Sequence, residues 1–355
     1  MFAQLDEIAG PDVRALARML GDNGYFRRSS SSYSAEPSHK EWLHFAVHSE
    51  HVDLLANFSV VDDVREGGRG AEIPRITCLV KERHWDGDID QYSPADVQIS
   101  SGHLAVRFGE SGVTLEGDEL RLKVRMQRRP IEIDLRLVPL AMPTPAFNLH
   151  VEHCPPINWL VVPRLLARGT VRIDGRTHVL RDAPAYHDHN WGHFRWGKNF
   201  AWEWGYGTPD QASNPWTMVF VRLSDRGHVT DLMQALFLWK GSRQARLFRG
   251  SELEVWHEGL LRPRRLFKLP RVMGLVSPGT ACDVPRTLHA RARGNGDQVE
   301  LRFDCEEVAQ VLIPNDEDLG VTIINEVSGR LAVEGIVGGE RFALSGPSIF
   351  EFLSD

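Results

Sequence analysis

Beyond Ser34 the chain is cut into short apolar runs separated by glycine, proline and Asp-Gly or Asn-Gly turns, and this punctuation constrains the fold more than any other feature. Runs at 42–47, 51–61 and 73–80 read as strands, the last after a Gly-Gly-Arg-Gly turn. Four more at 102–108, 113–116, 120–126 and 131–138 follow one another as a meander. A proline-rich passage from Pro139 to Pro156 interrupts the pattern before 169–173 and 176–180, joined by Asp174-Gly175, a pair that accepts the positive φ of a tight hairpin turn. Later runs fall at 216–223, 232–240, 253–257, 287–293, 298–303 and 308–313. Regularly spaced strands with few helix signals predict an all-β fold, a sandwich or an antiparallel barrel able to enclose an apolar cavity.

Near the C-terminus, Gly335-Ile336-Val337, a Gly338-Gly339 turn and 341–344 repeat the plan of the hairpin around Asp174-Gly175. The repeat suggests two related β domains, and 355 residues suffice for two cores. We expect a helix and joint over 1–35, a first β domain over 36–197 and a second over 198–355, with the boundary near residues 195–200. Leu5, Ile8, Val13, Leu16 and Leu20 have helical spacing, ended by Gly21 to Gly24. That helix is expected to pack on the body, with peripheral membrane contact as the alternative, although Asp6, Glu7 and Asp12 would repel anionic lipid.

A formal charge of −7 without a basic run argues against a nucleic-acid surface and for a neutral or lipophilic small-molecule partner. Cys78, Cys154, Cys282 and Cys305 are scattered, and the N-terminus lacks the pattern of a secretory signal. With no run long enough to span a bilayer, the expectation is a soluble cytoplasmic protein.

One string stands apart: Tyr186-His187-Asp188-His189-Asn190-Trp191-Gly192, followed shortly by Trp202-Glu203-Trp204-Gly205-Tyr206-Gly207. Half of the ten tryptophans lie between Trp191 and Trp216. On a strand, Tyr186, Asp188 and Asn190 share one face, while His187, His189 and Trp191 share the other. Aspartate is a poor strand residue, so Asp188 calls for a local partner such as Arg195 or for a function. The functional reading has Asp188 facing a barrel interior of aromatic rings, where lost solvation keeps it protonated near neutral pH. Trp202, Trp204 and Tyr206 alternate onto one face, either as packing or as ring faces that stabilise a carbocation.

His187, His189 and His193 could share a metal, but no matching Cys, His or Glu spacing accompanies them, and no metal is expected. The sequence carries no GxGxxG after a strand, no P-loop, no GxSxG elbow and no HExxH. No cofactor is expected.

The string from Tyr186 to Gly192 followed by Trp202-Glu203-Trp204-Gly205 resembles the signature of the carotenoid 1,2-hydratase (hydroxyneurosporene synthase) family and its AttH-like relatives. Lys40-Glu41-Trp42-Leu43-His44-Phe45 is similar to that superfamily's early Glu-Trp strand, although relatives often carry a second aromatic where Leu43 stands. The similarity runs from about residue 38 to the end. It implies tandem lipocalin-like β domains, a pocket near their junction and cofactor-free chemistry on an isoprenoid double bond. More distant members include Diels-Alderases and terpenoid cyclases, so the fold does not choose the reaction. The resemblance makes Asp188 the proton donor and Tyr186 its companion, with Asn190 and Trp191 in supporting positions.

The leading expectation is therefore protonation of a terminal alkene by Asp188 with Tyr186 orienting it. Trp202, Trp204 and Trp191 would stabilise the cation, and water (hydration) or an internal alkene (cyclisation) would capture it. A pericyclase that folds a polyene without proton transfer and a carrier of a lipophilic molecule are the alternatives.

Overall fold

Alternation and turns produce two large antiparallel sheets and little else. The computed structural model describes residues 12–27, 39–62, 72–149, 157–198, 200–211, 213–316 and 318–354. Leu5, Ile8, Ser29 to Ser34, the Gly-Gly-Arg-Gly turn, Cys154 and Pro155-Pro156 lie outside them. The first sheet is built from β1 (His39–His48), β2 (Asp53–Asp62), β3 (Glu72–Lys81), β4 (Trp85–Gln91), β5 (Val97–Ile99), β6 (Ala105–Phe108), β7 (Ser111–Glu116), β8 (Glu119–Arg125), β9 (Ile131–Pro139), β10 (Thr144–Leu149), β11 (Ile157–Ile173) and β12 (Arg176–His193). The second comprises β13 (Ala201–Gly207), β14 (Trp216–Ser224), β15 (Asp231–Lys240), β16 (Arg243–Arg249), β17 (Leu253–Leu260), β18 (Phe267–Leu269), β19 (Pro285–Gly294), β20 (Asp297–Pro314), β21 (Val321–Val337) and β22 (Glu340–Ser354). Among the described residues, no helix is long and apolar enough to cross a membrane.

The two sheets share one wiring plan. Along the first, strands run β4-β3-β2-β1-β12-β11-β9-β8-β7-β6-β5; along the second, β16-β15-β14-β13-β22-β21-β20-β19-β17. In each, the first strand pairs with the last, and the last two form a long hairpin. Asp174 and Gly175 turn one hairpin with φ of 49° and 81°, and Gly338 and Gly339 turn the other with 59° and 80°, the left-handed geometry such tight turns require. The repeat legible in the sequence is thus a repeat of topology.

Each sheet curls. Phe58 on β2 meets Phe108 on β6 edge-on at 5.6 Å although the strands are far apart in sheet order. In the second sheet, Arg246 of β16 reaches Asp297 of β20 at 3.0 Å. A core of alternating side chains fills each curl: Phe45, Leu122 and Leu135 in the first, Phe220, Leu301 and Phe303 in the second. The short helix α1 (Val13–Asn23) is capped by Asp12, whose carboxylate accepts from Ala15 N at 3.1 Å. It buries Leu16, Ala17 and Leu20 and lends Leu20 to the first core.

A third core lies between the sheets and is the most aromatic of the three. Trp85, Trp159 and Tyr186 of the first sheet meet Phe194, Phe200, Trp202, Trp204, Tyr206, Phe237 and Trp239 there. Polar ties border it. Lys40, wholly buried on β1, donates to the Phe194 carbonyl at 2.8 Å and pairs with Asp316, beyond β20, at 2.9 Å. Lys40→Met should destabilise the protein by about 3 kcal/mol, because a cation removed from a buried pair strands its anion. Urea unfolding measures this; an unchanged midpoint would show that the pair does not tie the sheets.

Candidate functional site

Strand β12 carries two different faces into two different cores. His187, His189 and Trp191 point into the curl of the first sheet. The His187 ring stacks on Phe45 at 4.3 Å and its Nδ1 lies 2.9 Å from the His44 carbonyl, while His189 Nε2 lies 2.7 Å from Glu41 Oε1. These imidazoles are core groups. Trp191 packs on His189 at 4.5 Å and under the Arg27 guanidinium at 4.7 Å. The expectation that Trp191 stabilises a cation beside Asp188 is corrected: strand alternation sends its ring to the opposite side of the sheet.

Tyr186, Asp188 and Asn190 face the second sheet instead. The aromatic cavity therefore lies between the sheets, not inside the first barrel. Asp188 is 3% exposed. The Tyr186 hydroxyl donates to its Oδ2 and the Asn190 amide to its Oδ1, both at 2.8 Å, so its two closest partners are its strand neighbours. Burial pushes the Asp188 carboxyl up to about 7, opposed by the hydrogen bonds of Tyr186 and Trp159 and assisted by the negative charge of Glu351. Tyr206 stacks on Tyr186 at 4.4 Å and its hydroxyl lies 2.7 Å from His48 Nε2, which braces Tyr186 from behind.

The cavity in front of Asp188 has a volume of about 90 Å³. That holds the end group of a chain, since one water needs roughly 10–15 Å³ measured in this way. Trp42, Trp159, Trp202, Trp204, Phe194 and Phe200 form most of its wall, with Val221, Leu223 and Met233 across from Asp188's sheet. Past Trp42, Trp202 and Glu351 lies a wider chamber of about 330 Å³ with a more polar lining: Asn57, Ser59, Thr77 and Gln91 on the first sheet, then Arg128.

Three polar residues at this site did not stand out from the sequence. His44 is the cross-strand neighbour of Asp188 and lines the same cavity. Burial lowers its pKa to about 4, so the ring is neutral, and its Nε2 is buried with no hydrogen-bond partner. Glu351 lies on β22, the strand that corresponds to β12, and accepts from Trp202 Nε1. Glu326 is its cross-strand neighbour on β21. Burial raises both carboxyls, and the neighbouring charges of Glu351 and Asp188 raise Glu326 further. Two contacting buried carboxyls cannot both ionise, so the pair retains a proton. A signal existed for Glu351: a lone acid in the apolar run Ile349-Phe350-Glu351-Phe352-Leu353. Its cavity-facing direction required the long-range pairing. Glu203, by contrast, points away to Arg222 at 3.2 Å and His257 at 3.1 Å.

Two curled antiparallel sheets of equal wiring, closed on a shared aromatic core and preceded by a short helix, make a tandem lipocalin-like fold. The chain superposes on a candidate AttH protein from Nitrosomonas europaea with a TM-score of 0.60, 11% identity and coverage of 92% of this chain and 95% of that one. It matches kievitone hydratase from Nectria haematococca at 0.56 and 12%, covering 94% and 95%. For CghA crystallised with Sch210972 the values are 0.60 and 14%, covering 95% of each chain. No protein-family model matches the sequence, and no curated protein matches it by sequence either.

Because the folded protein holds the Asp188 proton more tightly than the unfolded chain, burying this group costs stability that grows as pH rises from 3.8 toward 7. An Asp188→Asn variant lacks this proton linkage. Its stability relative to the parent should therefore improve steadily across that window and level off above it. Guanidinium unfolding at stepped pH measures the difference; a pH-independent gap would contradict a raised Asp188 pKa.

Proposed function

We propose that this chain is a cofactor-independent acid-base enzyme that protonates a carbon–carbon double bond at the end of a lipophilic, isoprenoid-like substrate. One observation carries the reading: a carboxyl group with a pKa near 7 stands in the wall of a mostly apolar cavity rich in aromatic rings and sized for an end group. A neutral carboxylic acid at working pH is what such a protonation needs.

Asp188 gives its proton to the less substituted carbon of the terminal alkene, leaving a carboxylate and a tertiary cation. Tyr186 and Asn190 hold the carboxyl in place. The faces of Trp202 and Trp204, with Trp42 and Trp159, stabilise the cation by about 2 kcal/mol for a desolvated ring contact. The proton shared by Glu326 and Glu351 leaves at most one negative charge near the cation, a second source of stabilisation.

Of the two fates of the cation, hydration is favoured by His44, whose buried Nε2 has no partner and which lines the cavity together with Asp188 and Glu351. A water needs two or more polar groups to occupy a buried site. In the hydratase reading, water adds to the cation and its proton passes through His44 to the Asp188 carboxylate. The site is restored, and the balance is alkene plus water to alcohol. The wider polar chamber suits the remainder of a substrate that is not wholly apolar.

Incubation with geranylgeraniol in deuterium oxide, followed by mass spectrometry, tests the reaction. The expected product carries one solvent deuterium on carbon beside a new tertiary hydroxyl, and the rate falls above pH about 7 as Asp188 ionises. Asp188→Asn should lower turnover by about 10² to 10⁴. Unlabelled product from the parent, or full turnover by the variant, would overturn the assignment in favour of pericyclic chemistry; tight binding without conversion would point to a carrier.

A further inference from the structure

The second sheet departs from the first at one connection. Strands β7 and β8 are joined by the turn Gly117-Asp118, whereas their counterparts β17 and β19 are separated by residues 261–284. This insertion carries Arg262, Arg264, Arg265, Lys268 and Arg271 against one acid, Asp283, a charge of +4 in a chain of −7. Three of the four residues from Arg262 to Arg265 are arginine, and Lys268 and Arg271 follow within six positions.

The insertion is braced. Its strand β18 pairs in parallel with β20, Lys268 Nζ donates to the Ser277 carbonyl at 2.6 Å, and Arg271 lies 3.7 Å from Asp86 of the first sheet. Held in this way, the short helix α2 (Val272–Val276) turns aliphatic side chains outward: Val272 is 57%, Leu275 84% and Val276 72% exposed. Arg262, Arg264, Arg265 and Arg271 are exposed with them. At the base of the helix, Pro270 lines the wider chamber that leads past Trp202 and Glu351 toward Asp188.

We propose that this insertion docks on an anionic lipid surface, with α2 entering the headgroup region and the arginines meeting lipid phosphates. Charge complementarity selects the occupant. The insertion is positive while the rest of the protein is negative, so an anionic bilayer attracts this face and repels the others, which fixes the orientation. Exposed aliphatic residues in a segment that also exposes four arginines have the chemistry of interfacial insertion. Docking stands on this surface alone. Its use rests on the reading above: a lipophilic substrate would pass from bilayer to chamber without crossing water.

Co-sedimentation of the full-length protein with phosphatidylcholine vesicles, with and without phosphatidylglycerol, tests the proposal. Binding should require phosphatidylglycerol and weaken with salt. Arg264→Gln with Arg265→Gln should lower the partition coefficient roughly thirtyfold. Leu275→Ser with Val276→Ser should lower it by at least about tenfold. All four positions are exposed, so unfolding midpoints should not move, which separates lost docking from lost folding. Equal binding by variants and parent, or no binding at lipid excess, would overturn the proposal. So would a concentration-dependent dimer that the serine variant abolishes, which would assign the face to a second copy. Turnover is not read, so failure here leaves the Asp188 chemistry standing, and an inactive Asp188 leaves the vesicle result standing.

Discussion

The site depends on one contact: the face of β12 that bears Tyr186, Asp188 and Asn190 is pressed against the second sheet and shut off from water. A carboxyl on a solvated sheet face keeps an ordinary pKa. Here the aromatic core between the sheets removes its solvation and leaves hydrogen bonds from Tyr186, Asn190 and Trp159 in exchange, which offset only part of the loss, so the proton stays on. The same enclosure gives Trp202 and Trp204 their second role. Their rings close the interface and also line the space in front of Asp188.

Equal wiring of the halves makes the site easier to understand. Each half ends in a hairpin whose last strand lies against its own first strand, and in each that last strand brings an acid to the shared cavity, Asp188 from β12 and Glu351 from β22. The two differ in what surrounds them. Asp188 is held by a tyrosine and an asparagine, whereas Glu351 is tied to Trp202 and to a second carboxyl, Glu326. The duplication supplies two acids and the neighbours distinguish them, as environments that set carboxyl groups apart commonly do in acid-base sites.

Local pattern carried much of this into the sequence. Strand alternation alone separated Asp188 from His187 and His189, and the Asp174-Gly175 and Gly338-Gly339 turns marked both hairpins and the repeat. A polar strand such as β4, Trp-Asp-Gly-Asp-Ile-Asp-Gln, was not legible because aspartate and glycine, residues that strands disfavour, make up most of it. What alternation cannot say is which side of a strand meets which partner. That is why Asp188 was expected inside the first barrel, and why His44, Glu326 and Glu351 did not stand out as its neighbours. Those positions are set by pairing between residues more than a hundred apart, such as His44 with Asp188. The basic cluster at 262–271 stands in the sequence, but that it belongs to an insertion shows only against the tight turn that replaces it in the first half.

The central claim is that Asp188 keeps its proton near neutral pH because the second sheet covers it. Carboxyl carbon-13 NMR of the protein labelled at aspartate, with Asp188→Asn to assign the resonance, measures this directly. The account predicts a midpoint near 7 for Asp188. A midpoint in the ordinary aspartate range would contradict it, because a carboxyl ionised at neutral pH could not serve as the acid.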